Sequence, residues 1–121
     1  MMGREELLGA LVAASGGVQA AYEEILDAWG SEEPPVTTLL AALGYRIAED
    51  FDSTDVDANR RLFSLIEQAM ESGDNGLRTV VATGLIEALA VRAVQTEGLW
   101  KRMAPLLGPR SLYHAEAWLS E

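Results

Sequence analysis

The sequence predicts an all-α fold: a single domain over residues 1–121, built as an irregular helical bundle or a stack of helical hairpins with five to seven helices. Apolar residues recur at three- and four-residue steps almost throughout. No strand-like alternation of useful length interrupts them, and short Gly, Pro and polar clusters punctuate the pattern. A chain of 121 residues has the size of one core. Its balance of 49% hydrophobic and 23% charged residues is that of a globular protein rather than a disordered one.

The first helical stripe is Leu7, Leu8, Leu11 and Val12. Gly16 and Gly17 break it before a second stripe of Tyr22, Ile25, Leu26 and Trp29, giving two helices or one long helix kinked at the glycines. The segment "LLGALVAA" has the length of an export-signal core. A signal peptide needs a positive leader, however, and Glu5 and Glu6 stand directly before this run, so export is not expected. No run approaches the roughly 18 apolar residues of a membrane span.

"GSEEPP" at 30–35 is a loop, because its glycine ends one helix and its prolines cannot continue it. Thr37 or Thr38 is expected to cap the third helix, whose apolar stripe is Leu39, Leu40, Leu43, Ile47 and Phe51. The fourth helix starts after Ser53, with Thr54 as its N-cap, Asp57 in the capping-box position and Asp55 in the first turn near the positive end of the helix dipole. Its buried face reads Leu62, Phe63, Ile66, Ala69 and Met70, and Asp57 stands four residues before Arg61, the favourable order for a helix ion pair. "SGDNG" at 72–76 stops this helix and caps the next.

Residues 77–94, "LRTVVATGLIEALAVRAV", are apolar on nearly every side of a helical wheel and should form the central helix. Glu87 interrupts that helix. A carboxylate there must reach solvent, find a partner or accept a raised pKa, and a structural hydrogen-bonding role is the ordinary outcome. A short segment at 99–104 follows, then "PLLGP". A last helix over 110–119 turns Leu112, Ala115, Trp118 and Leu119 inward.

The charge is segregated. Residues 1–57 carry 12 of the 19 acids against only Arg4 and Arg46, whereas residues 58–121 carry seven of each sign. The whole net charge of −10 therefore belongs to the first half. Such a field repels phosphate backbones and anionic lipid, and it speeds encounter with cationic partners. Nucleic acid and membrane are disfavoured as ligands, and a basic protein is favoured. The absence of cysteine removes disulfides, thiolate zinc sites and cysteine nucleophiles, and it fits a reducing compartment.

The densest run of acids, "AEDFDSTDVDANRR", holds Glu49, Asp50, Asp52, Asp55 and Asp57. As an EF-hand starting at Asp50 it fails, with Asp55 where glycine is needed and Arg61 where a bidentate glutamate is needed. Glu24-x-x-Asp27 and Glu49-x-x-Asp52 each set two acids one helical turn apart, and paired helices of this kind hold magnesium against a nucleotide's phosphates. The pattern is similar to the acidic signature of all-helical nucleoside-triphosphate pyrophosphohydrolases. It departs from that signature in having aspartate as the second acid, in placing Glu49 and Asp52 at a helix end, and in lacking a nearby basic cluster. His114, the only histidine, has no second histidine or cysteine with which to form a usual zinc site. Tryptophans at helical spacing read as core, with Trp100, beside Lys101 and Arg102, as the possible interface anchor.

The L-F-x-x-I-E helix at 62–67, the Gly73-Asp74 turn, "LIEAL" at 85–89, and Leu107-Gly108-Pro109 with Ser111 together resemble a family of small all-helical immunity proteins encoded beside bacterial polymorphic toxins. The resemblance covers about the last half of the chain. It implies a protein that binds and blocks a cognate toxin in the producing cell, with no catalytic residues and no binding residue transferable by motif. Toxins that act on nucleic acids or nucleotides tend to have basic clefts, which suits the acidic half. The expectation is a cytoplasmic binding module without cofactor or metal. It would occlude a basic toxin cleft through Glu49, Asp50, Asp52, Asp55 and Asp57, together with Glu32 and Glu33 in the adjacent loop. A magnesium-dependent pyrophosphohydrolase using Glu24, Asp27, Glu49 and Asp52, or a helical adaptor, are the alternatives.

Overall fold

The computed structural model describes residues 2–121, and those residues are helical with no strand. Helices α1 (Arg4–Ala14), α2 (Gly16–Trp29), α3 (Val36–Glu49) and α4 (Val56–Met70) are followed by a rod in three parts: α5 (Asn75–Val80), a π-helical segment (Val81–Ile86) and α6 (Glu87–Gln95). Next come α7 (Leu99–Met103) with a 3-10 turn (Ala104–Leu106), and then α8 (Pro109–Leu119). Counting that rod once, the described residues form seven helices in an irregular bundle. The predicted all-α class therefore holds.

α1 and α2 are separate helices, and the break is at Ser15 rather than at the glycines. Ser15 is extended (φ −152°, ψ 130°), and its hydroxyl accepts from the Val18 N–H at 3.3 Å, capping α2. Gly16 and Gly17 form α2's first turn instead. Gly17 lets the Asp50 carboxylate lie close against this turn, since a Cβ there would displace its Oδ2.

Three expected details differ. α3 is started by Pro35, whose carbonyl accepts from Leu39 N at 3.0 Å, while Thr37 and Thr38 lie exposed inside the helix. The N-cap of α4 is Asp55, not Thr54. Asp55 Oδ2 takes the N–H groups of Asp57 and Ala58 at 3.1 and 3.3 Å, because Thr54 is already committed to the turn behind it through a 2.7 Å bond to the Asp50 carbonyl. Asp57 pairs at 3.9 Å with Arg60, three residues on, rather than with Arg61.

One cluster of buried side chains draws on every helix, from Leu7 and Leu11 of α1 to Met103 of α7 and Ala115 of α8. The central rod is packed by α3, α4, α7 and α8. It meets α3 at two glycines: a Cβ on Gly44 would run into the Leu85 carbonyl, and one on Gly84 would stand 3.0 Å from the Thr37 carbonyl. The backbones touch there because neither glycine has a side chain to separate them. Gly84 lies in the π-helical segment, so the wider turn falls where the rod is pressed hardest against its neighbour.

The acidic stretch is anchored at both ends. Phe51 lies just past the end of α3, its ring 6.2 Å from that of Phe63, and its carbonyl accepts from the buried Asn59 amide at 3.0 Å. Trp100 packs against the core, whereas Trp118, expected inward, is 38% exposed. Ser111, with 0% exposure, takes the inward place on α8.

Candidate functional site

Each acid of the 49–57 stretch has a counterpart within the chain. Glu49 Oε1 lies 3.4 Å from Arg92 Nη1 of α6, and Asp52 Oδ2 lies 2.7 Å from Arg102 Nη2 of α7. The Asp50 carboxylate rests against Gly17 in the first turn of α2, where the positive end of a helix dipole favours it. Asp55 caps α4, and Asp57 faces Arg60. The basic groups that these acids answer thus come mainly from the charge-balanced second half.

A different group of acids has no such answer. Glu5, Glu6, Glu23, Asp27, Glu32 and Glu33 are exposed and take part in no ion pair among the described residues. Two of them line an apolar cleft. Leu8 and Val12 of α1 and Tyr22 and Leu26 of α2, pairs four residues apart that share a helix face, border two adjoining hollows of about 330 Å³ each. Glu5 lies in both hollows, while Glu33, Pro34, Val36, Leu39 and Arg4 complete the second. Leu26 is 38% exposed there. This combination of an apolar floor, an aromatic ring and an acidic edge was not singled out from the sequence, although the Leu8/Val12 and Tyr22/Leu26 stripes were visible there as helix faces.

The four carboxylates of the pyrophosphohydrolase alternative do not converge. Glu24 pairs with Arg46, Glu49 with Arg92 and Asp52 with Arg102, and no group of three potential metal ligands forms among the described residues. Three of the four carboxylates are thus held by three separate guanidinium groups.

The second half contains three buried or half-buried carboxylates: Asp74 caps α5, and Glu67 and Glu87 hold α8. Glu67, 9% exposed on α4, accepts from the N–H groups of Arg110 and Ser111, each at 3.0 Å, and from the Ser111 hydroxyl at 2.8 Å. Gly108 makes room for it, since a Cβ there would overlap the glutamate side chain. Glu87, anticipated as the unusual polar position, finds His114 Nε2 at 2.9 Å. Glu67 went unremarked as a buried charge because its spacing places it at the border of the α4 apolar stripe. The Gly-Pro start of the last helix was the available signal.

The result is a single-core helical protein with an acidic apolar-floored cleft and no gathered reactive side chains among the described residues. Residues 9–119 match the model of a domain of unknown function (DUF7674), and the chain belongs to that family. No curated protein and no solved structure matches.

Proposed function

We propose that this protein is a binding module for a basic protein, with inhibition of a cognate bacterial toxin in the cytoplasm as its specific role, the one implied by the resemblance of residues 62–111 to immunity proteins. The observation that carries the proposal is the contrast between the two sets of acids. Those at 49–57 are answered within the chain, whereas Glu5 and Glu33, which line the apolar-floored cleft, and Glu32 beside Glu33 in the loop have no ion-pair partner among the described residues. In such a site charge steers the encounter, and an apolar or aromatic anchor seated on Tyr22, Leu8 and Leu26 supplies most of the affinity. The strip from Glu49 to Asp57 adds to the field but is the secondary contact. No described helix is long and apolar enough to cross a membrane, which is compatible with the proposed location.

The test is co-purification with the product of the adjacent gene, followed by stopped-flow association across a salt series. Reversing Glu32 and Glu33 to lysine slows association by about tenfold and flattens its salt dependence. Neutralising Glu49 and Asp52 has the smaller effect. If reversal at 32 and 33 leaves the association rate unchanged, the cleft is not the contact.

A further inference from the structure

On the charge-balanced half, opposite in character to the acidic cleft, a groove of about 480 Å³ runs between the end of α4, α5 and the first turns of α8. Met70, Ala82 and Pro109 supply its apolar walls, and Tyr113, 77% exposed, stands in its lining. Arg78 and Arg110 line it too, and no aspartate or glutamate does. Of the eight arginines, Arg46, Arg60, Arg92 and Arg102 meet a carboxylate, while Arg4, Arg61, Arg78 and Arg110 form no ion pair among the described residues, and the last two line this groove. Arg78 is instead held by neutral oxygens, its Nη1 donating to the Ser72 carbonyl and its Nη2 to Asn75 Oδ1 at 3.0 Å. Its guanidinium is oriented without being neutralised.

Two carboxylates beside this groove, Glu67 and Glu87, already accept hydrogen bonds from α8. Glu67 accepts from Arg110 N–H and from both donors of Ser111, and Glu87 accepts from His114. His114 itself lines the groove. Since a carboxylate can only accept, His114 donates from Nε2 to Glu87.

The groove sets apolar walls beside convergent polar groups, the combination that binds the two ends of a small amphipathic molecule. Two guanidiniums without carboxylate partners define the charge of what fits, and guanidinium forks match carboxylate geometry. We propose that this groove binds a small organic acid, its carboxylate held between Arg110 and Arg78 and its apolar body lying on Met70, Ala82 and the Tyr113 ring. The site is independent of the acidic cleft and of whether the protein inhibits a toxin.

The experiment titrates the intact protein with 4-phenylbutyrate, its uncharged amide and inorganic phosphate, following backbone and side-chain NMR shifts. The expected result is saturable shifts at Arg78, Tyr113 and His114 with 4-phenylbutyrate. The amide and phosphate should bind at least about tenfold more weakly, each lacking one half of the recognition. Arg110→Gln changes an exposed side chain and should weaken 4-phenylbutyrate by about tenfold or more while leaving the melting temperature unchanged. Tyr113→Ala, also at an exposed position, should weaken both the acid and the amide. Equal binding of acid and amide, indifference to Arg110→Gln, or the absence of saturable shifts at these residues overturns the proposal. So does an acidic peptide that occupies the groove when the small acid does not.

Discussion

Glu67 and Ser111 are 44 residues apart in the chain, yet Glu67 Oε1 accepts both the backbone N–H of Ser111, at 3.0 Å, and its hydroxyl, at 2.8 Å. The other oxygen takes the N–H of Arg110 at 3.0 Å. Because Gly108 has no side chain and Pro109 no N–H to satisfy, the start of α8 lacks a local cap, and a carboxylate from α4 serves instead. This bond set ties together the two ends of the segment that resembles immunity proteins, "LFSLIE" and "LGPRS".

Replacing Glu67 by glutamine keeps the shape but turns an amide N–H₂ toward backbone donors. A loss of about 1–2 kcal/mol in urea unfolding is expected. Gly108→Ala, at φ −69°, has no backbone reason to be costly, so any destabilisation reports the collision with Glu67. A Glu67→Gln variant as stable as wild type would show that the capping carboxylate contributes nothing.

The glycines of the helices should divide into two groups. Gly44→Ala drives a methyl into the Leu85 carbonyl and should cost about 1–3 kcal/mol, with Gly84→Ala costing less because its nearest neighbour stands 3.0 Å away. Gly9→Ala, with nothing within 4 Å, should stabilise by about 0.5–1 kcal/mol through helix propensity alone. Thermal melts of the three variants give the ranking. Equal effects at Gly9 and Gly44 would contradict the close contact between α3 and the central rod.

The ion pairs of the acidic stretch are partly exposed and should be worth little individually. A double-mutant cycle on Asp52→Asn and Arg102→Gln is expected to return a coupling below about 1 kcal/mol that shrinks with salt. A larger, salt-insensitive coupling would indicate that the stretch is built for stability and not mainly for orienting the α3–α4 turn.

Nitrogen-15 NMR of the neutral His114 ring should show the proton on Nε2, since Glu87 can only accept. Glu87→Leu should remove the hydrogen-bond shift of the Nε2–H resonance. A ring protonated on Nδ1 in the wild type would mean that the pair at 2.9 Å is not a hydrogen bond of the kind described.

Helix positions and the buried stripe of α4 were legible in the sequence because they depend on local spacing. Leu62, Phe63, Ile66 and Ala69 recur at helical steps, and all are buried. The "GSEEPP" loop and the capping role of "SGDNG", which Asp74 carries, were legible for the same reason, as loop and cap chemistry acts over a few residues. The cap of α4 was misplaced by one residue, from Asp55 to Thr54, since both side chains can cap and only the turn behind them shows that Thr54 is already used. The site was less legible. Glu49, Asp50 and Asp52 read as a patch awaiting a partner because Arg92, Arg102 and the start of α2 are distant in sequence.

The sequence by itself determined that the chain is helical and that the first half carries the whole excess of negative charge, both properties of composition and short-range order. Only the tertiary structure decided which charges are spent. Ion pairing acts through space, so residues up to 50 positions apart neutralise one another. What is left over, acids beside the Tyr22 cleft and guanidiniums beside Tyr113, becomes visible only after the helices have been packed.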